Sequence, residues 1–326
     1  MPSLKRTVLG FMTMTESQVL DRFEALPGAR RNSGDHWVFI EGTRDPADRL
    51  LLMAHADTVQ GQMRYDTLCY TGDFIYGPYG CGADDRAGCA AVWKLRDLGH
   101  SILVTTGEEV GGIGAYHAAR NLEDELGRHA IAFQVDRAGS DDIALYPGTY
   151  SGEFEKYLAE KFPGWTQSDG TYTDVATISP AVGICGANLA AGYMWEHTNK
   201  EVLSVAALGA TINSLRRLCL EAEYPVMLPD KVESWYNYPT LWVDDDDDDG
   251  VLSWKAKKVK SWNKVKSWKK AKRRSVDVLD EKGARVGSTT DCPAHLYDAK
   301  TNCVWLEELA DYHLVSKEEA LSYFVA

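Results

Sequence analysis

The segment Arg49-Leu50-Leu51-Leu52-Met53-Ala54-His55-Ala56-Asp57 decides how this chain is read. Five consecutive apolar residues leave the strand no polar side, which is the pattern of a strand covered on both faces. It ends on an imidazole and a carboxylate. Working outward, Trp37-Val38-Phe39-Ile40, Ser101–Thr106 and Ala130–Val135 are further short apolar runs with strand character. Between them lie helical patterns. Residues 16–27 set Val19, Leu20, Phe23 and Leu26 at helical spacing with Pro27 as a stop, and Ala87–Leu98 and Gly114–Leu126 follow the same period. Strands alternating with helices imply an α/β fold whose largely parallel sheet is covered on both faces. Ligands in such sheets bind beyond the carboxyl ends of the strands. Ala181-Val182-Gly183-Ile184-Cys185 reads as a later strand, and Glu201–Leu220 as one long helix that closes a first domain near residue 225.

Polar residues follow each strand directly. His55-Ala56-Asp57 ends the first, and a carboxylate two residues from a histidine is placed to fix its ring orientation. Gly82-Ala83-Asp84-Asp85-Arg86-Ala87-Gly88 offers hard oxygen ligands on a small-residue backbone; Asp84 or Asp85 equally suits the cap of the helix behind it. Gly107-Glu108-Glu109 follows the strand 101–106. Two adjacent glutamates there can divide the work, one holding a metal and the other moving a proton. Asp136 ends the strand 130–135, and His197 precedes the helix assigned to 201–220.

The order His-x-Asp, Gly-x-Asp-Asp-Arg-x-Gly, Glu-Glu, Asp, His resembles the co-catalytic zinc exopeptidases: bacterial zinc aminopeptidases, peptidase T-like tripeptidases and carboxypeptidase G-like enzymes. The resemblance covers roughly residues 50–220. It implies a three-layer α/β/α sandwich and two zinc ions, which cobalt or manganese can replace. It further implies that His55 and Asp136 hold one ion, Glu109 and His197 the other, and Asp84 bridges them, with Asp85 the alternative register. Asp57 would orient His55, and Glu108 would be the general base. A cis peptide bond is expected at Asp84–Asp85. Only sixty residues separate Asp136 from His197, which leaves no room for the dimerisation or lid domain that many relatives insert there. The substrate implied is a peptide, with an aminopeptidase-like exopeptidase first and an amidohydrolase acting on N-acyl amino acids as the alternative. A non-enzymatic binding protein that kept the fold is the rival outside enzymes. Thr173, Asp174 and Tyr193 either line the substrate pocket or serve the core.

The net charge of −13 over 326 residues is polarised, because residues 254–274 carry eleven Lys or Arg and no acid. Asp244–Asp249 is an unbroken aspartate run. The sequence therefore divides into a catalytic domain at 1–225, an acidic linker at 226–250 and a basic Trp/Lys segment with a small helical tail at 251–326, the tail helices spanning 303–312 and 317–324. The tandem Lys-Val-Lys-Ser-Trp repeats either bind nucleic acid or another anionic surface, or pack on the acidic domain; packing is favoured. Cys292, His295 and Cys303 match no usual zinc-finger spacing. No apolar run is long enough for a membrane span. Seven cysteines without regular spacing argue against a disulfide framework and for a reducing, cytoplasmic setting, with Cys69, Cys81, Cys89, Cys185 and Cys219 read as buried thiols.

Overall fold

The computed structural model describes residues 3–230, together with the backbone of three short strands further on. The chain divides into two units, Met1–Pro239 and Thr240–Ala326. In the first, α1 (Leu4–Met12) and α2 (Glu16–Glu24) precede β1 (Ala29–Arg31), β2 (Trp37–Ile40) and β3 (Leu50–His55). Next come β4 (Cys69–Thr71), β5 (Phe74–Tyr76), α3 (Ala83–Leu95), β6 (Ser101–Thr105), α4 (Ile113–Asn121), α5 (Glu123–Leu126), β7 (Ile131–Arg137) and β8 (Asp142–Leu145). The unit continues with α6 (Gly152–Lys161), β9 (Thr166–Asp169), α7 (Asp174–Val182), β10 (Cys185–Ala190), β11 (Tyr193–Met194), β12 (Val202–Ser204) and α8 (Val205–Cys219).

Eight strands form the main sheet in the order β1-β2-β6-β3-β7-β10-β8-β9. The central run β6-β3-β7-β10 is parallel, while β2 and β8 join it antiparallel. Side chains alternate across a strand, so the apolar run of β3 feeds two cores. Leu50, Leu52 and Ala54 pack with Phe133 and Val135 under α1, α2, α3 and α8. Leu51 and Met53 pack with Phe39, Leu103 and Ala132 under α4 and α7. Helices on both faces of a mostly parallel mixed sheet make the α/β/α sandwich expected from the sequence. One close contact sets the spacing of α3 from the sheet: a Cβ at Gly88 would collide with the Val135 carbonyl oxygen and the Asp85 carboxylate.

Several boundaries differ from the sequence reading; the helix read over 114–126, for one, is divided into α4 and α5. Residues 181–182 end α7 rather than open a strand, because Gly183 takes a left-handed conformation (φ 74) that stops the helix and turns the chain into β10. Residues 202–204 are the strand β12, paired with β5 and β11, and α8 starts only at Val205 behind the Ser204 cap. Leu4–Met12, to which the sequence reading assigns no element, is the helix α1, capped by Ser3, and its Phe11 packs with Phe23 and Trp93. A second sheet, β11-β12-β5-β4, carries a cross-strand row of Met194, Val202, Tyr76 and Cys69. Cys69 is exposed on this edge, contrary to expectation, whereas Cys81, Cys89, Cys185 and Cys219 are buried free thiols.

His100 locks the bottom of the first core as a neutral ring. Its Nδ1 accepts the Leu50 backbone N–H (3.1 Å), and its Nε2 lies 2.9 Å from the Cys219 carbonyl, so Nε2 carries the proton. Burial, reinforced by the Arg44 and Arg49 charges, pushes its pKa down to about 4. Burial does the same to His129. Both folded values lie below the ordinary histidine value, so the unfolded chain binds more protons between the two. Their stabilisation is present above about pH 6.5 and fades as pH falls toward the folded value, by up to ~3 kcal/mol for each ring. Denaturant unfolding followed across that window is expected to show the loss, and His100→Gln is expected to flatten its slope.

The second unit is described only as a three-stranded sheet: Arg285–Thr289 beside Val276–Leu279 beside Cys303–Trp305. Residues 303–305 are thus a strand, paired parallel with 276–279, and not the start of a helix; Val304 and Trp305 have the β-branched and aromatic character that favours strands. The aspartate run, the basic repeats, the rest of 303–312, the helix assigned to 317–324 and the Cys292–His295 motif lie outside the described residues. No helix among the described residues is long and apolar enough to cross a membrane.

Candidate metal centre

Three parallel neighbours, β6, β3 and β7, end side by side. Residues at and just beyond their carboxyl ends therefore converge: His55 at the end of β3, Asp136 near the end of β7, and Glu108 and Glu109 in the loop after β6. His55 Nε2 lies 3.2 Å from Asp84 Oδ1 and 3.4 Å from Asp136 Oδ1. His197 Nε2 lies 3.0 Å from Asp84 Oδ2 and 2.9 Å from Glu109 Oε2. Two three-residue groups result, His55–Asp84–Asp136 and Asp84–Glu109–His197, each with its ligand atoms within 4.8 Å of one another and each using a different oxygen of Asp84.

The two aspartates of the small-residue loop have separate roles. Asp85 turns inward: its carboxylate accepts the Gly88 N–H (2.8 Å), capping α3, and the His55 N–H (3.2 Å). Asp84 faces both histidines. The peptide bond between them is cis, as expected from the resemblance. Arg86, next in sequence, is fully buried and donates to the Phe11 carbonyl (3.2 Å).

Asp57 braces the centre from behind. It sits 3.3 Å from His55 Nδ1 and accepts the backbone N–H groups of Glu108 (3.3 Å) and Glu109 (3.1 Å). Burial raises its pKa, but His55 and the two amides outweigh this and hold it below the usual range. Asp136 is braced too. Thr173 and Gln134 donate to its Oδ2 (2.7 and 3.2 Å), and the Tyr193 hydroxyl lies 2.9 and 3.0 Å from its carbonyl and Oδ1. Asn188 exchanges two hydrogen bonds with its backbone. Thr173, Asp174 and Tyr193 are accordingly buried supports and not the lining of an open pocket; Asp174 is bonded by the Thr105 hydroxyl.

Sequence reasoning missed Gln134, Asn188 and Glu201. Gln134 and Asn188 are polar residues inside apolar strands, a signal that was there to be read. Glu201 was placed in a helix.

The residues fit metal cations. Neither ring nitrogen of the buried His55 finds an aligned hydrogen bond, although carboxylates surround both. Burial and the Asp136 charge push Asp84 up to about 6, and the Asp84 and Glu109 carboxylates, accepting from the His197 ring, push His197 up to about 11. The cluster is thus short of positive charge, and imidazoles with carboxylates are a donor set that suits zinc. Burial pushes Glu108, beside the two groups, up to about 9, with Asp136, Asp174 and Asp84 adding to the rise and His55 opposing it.

A sequence profile of Peptidase family M28 matches residues 38–177. No curated protein sequence matches the chain. Among solved structures, the chain is similar to aminopeptidase PepT from Bacillus cereus, at 16% identity and a TM-score of 0.52, over 66% of this chain and 97% of that one. It is also similar to an aminopeptidase from the archaeon Desulfurococcus kamchatkensis, at 13% identity and a TM-score of 0.51, over 68% and 95%. At these identities the likeness is one of fold. The resemblance to the co-catalytic zinc exopeptidases stands, and with the family match the chain is a metal-dependent peptidase.

If Asp57 orients His55 and the Glu108–Glu109 backbone, Asp57→Ala is expected to weaken metal binding by about 10–100-fold. Competition with a chromogenic chelator measures this directly.

Proposed function

We propose that this chain is an exopeptidase of the aminopeptidase type that works with two zinc ions, held by His55, Asp84 and Asp136 and by Asp84, Glu109 and His197. The observation that carries the reading is the division of Asp84 between the two ligand groups, one oxygen toward each histidine. When bound, a pair of zinc ions polarises the scissile carbonyl and makes water a nucleophile near neutral pH. The chain's own residues do the rest. Glu108 takes the proton of the attacking water and delivers it to the leaving amine, so one carboxylate serves as base and then acid. Its position suits this, because Asp57 holds its backbone N–H beside the two ligand groups, of which it is not a member. Asp57 holds His55 and the amides of Glu108 and Glu109 in one orientation. Thr173, Gln134 and Tyr193 keep the Asp136 carboxylate from rotating away. The catalytic domain extends to about residue 225. Its free thiols accord with a reducing, cytoplasmic location.

The test is a substrate panel on metal-stripped and zinc-reloaded protein. Free peptides are expected to be cleaved from the amino end only after reloading. Preference for N-blocked peptides or N-acyl amino acids would replace the aminopeptidase reading by carboxypeptidase or deacylase action. Activity that survives stripping would defeat the metal reading itself.

A further inference from the structure

Glu201 lies between the His197 loop and β12, and it is fully buried. Its Oε2 accepts the backbone N–H groups of Cys81 (3.1 Å) and Gly82 (2.6 Å), and its Oε1 those of Ala83 and Asp84 (3.1 Å each). These four consecutive amides lead into α3, where backbone donors have no partner within the helix and a negative charge is favoured. An ionised carboxylate has two oxygens and about four lone-pair sites, so this one side chain can satisfy all four donors.

The anchor joins two loops that both carry candidate ligands. Asp84 is the last residue of the four-amide run, and His197 lies four residues before Glu201 in the chain. Two further bonds close the same seam, from Gly80 N to the Asn199 carbonyl (3.0 Å) and from Gln60 Nε2 to the Thr198 carbonyl (3.4 Å). His197 needs such help. Its side chain is 52% exposed, so packing does not fix the ring, and both it (φ 61) and Trp195 (φ 56) take a left-handed backbone. Residues other than glycine rarely adopt that conformation, and it persists only where the surrounding structure imposes it. His55 and Asp136 are different, being buried in β3 and β7 themselves.

We propose that Glu201 is a positioning residue that fixes Asp84 and His197 relative to one another. The group Asp84–Glu109–His197 then binds its cation tightly only while the Glu201 carboxylate joins the two loops. This rests on the reading of those residues as metal ligands.

Zinc titration by calorimetry into the metal-free full chain tests it. Wild type is expected to take two zinc ions. Glu201→Gln keeps the shape, but it loses the charge and turns an NH2 toward two of the donors. It is expected to keep one tight ion and to bind the second about 10–100-fold more weakly. In a His197→Ala background, where the second group is already broken, Glu201→Gln is expected to change the remaining affinity by less than about threefold, since both changes act on one unit. Equal weakening of both ions, or of neither, would overturn the positioning role. A wild type that binds no zinc would fail earlier, at the ligand reading, and take this inference with it. Should Glu201→Gln not fold, amide hydrogen exchange on wild type decides. Protection at Cys81–Asp84 matching the interior of α3 supports the anchor, and free exchange there overturns it.

Discussion

Glu108→Gln is expected to lower kcat for peptide hydrolysis by about 10²–10⁴-fold, the usual worth of a positioned acid–base group. The zinc content is expected to be unchanged, because neither ligand group includes Glu108. Glutamine fills the same space and removes a half-buried carboxyl, so the fold is not burdened. KM should move little, since the group acts on the proton in flight rather than on the bound peptide. Steady-state kinetics with parallel metal analysis reads both halves. Full activity in this variant would require another base, and among the described residues the remaining carboxylates of the cluster are either ligand candidates or, like Asp57, Asp85 and Asp174, buried and already hydrogen-bonded.

The second large effect separates two adjacent aspartates. Asp84→Ala removes an oxygen from both ligand groups at once, leaving two residues in each. The variant is expected to retain its fold while losing both ions and, with them, hydrolysis to the detection limit. Asp85→Ala removes the α3 cap and the acceptor for the His55 amide. Loss of such a cap costs about 1–2 kcal/mol, so Asp85→Ala is expected to lower the melting temperature of the metal-free protein more than Asp84→Ala does. Metal content and thermal unfolding of both variants check the contrast. If Asp85→Ala loses the metals and Asp84→Ala keeps them, the bridge belongs one residue later.

The strands that form the site were readable because β3, β6 and β7 are short apolar runs whose polar residues come directly after them. Position beyond the strand ends then follows from the architecture. The register within Asp84-Asp85 was not readable, since both are buried, both are carboxylates, and only the backbone between them decides which one turns toward the histidines. The shift of the late strand from 181–185 to β10 has a different cause. Ala181 and Val182 are equally at home in a helix end or a strand, and the choice is made by Gly183. Glu201 was misread because it begins an apolar stretch with helical period, Val202 to Leu208, whose first part pairs as β12 instead. Its partners are backbone amides about 120 residues away, and backbone donors leave no mark in a sequence.

The order of the candidate ligands along the chain sets a limit on any shorter version of the protein. A segment ending after β7 would hold His55, Asp84, Glu109 and Asp136, which are three carboxylates and one imidazole in close quarters, with the tether of the Asp84 loop absent. His197 and Glu201 arrive together, within five residues, after α6, α7 and β10 have been laid against the sheet. The second candidate ligand group is therefore completed late in the chain. A limited digest that nicks the chain between His197 and Glu201 should separate the candidate ligand from its proposed anchor while leaving the sheet intact.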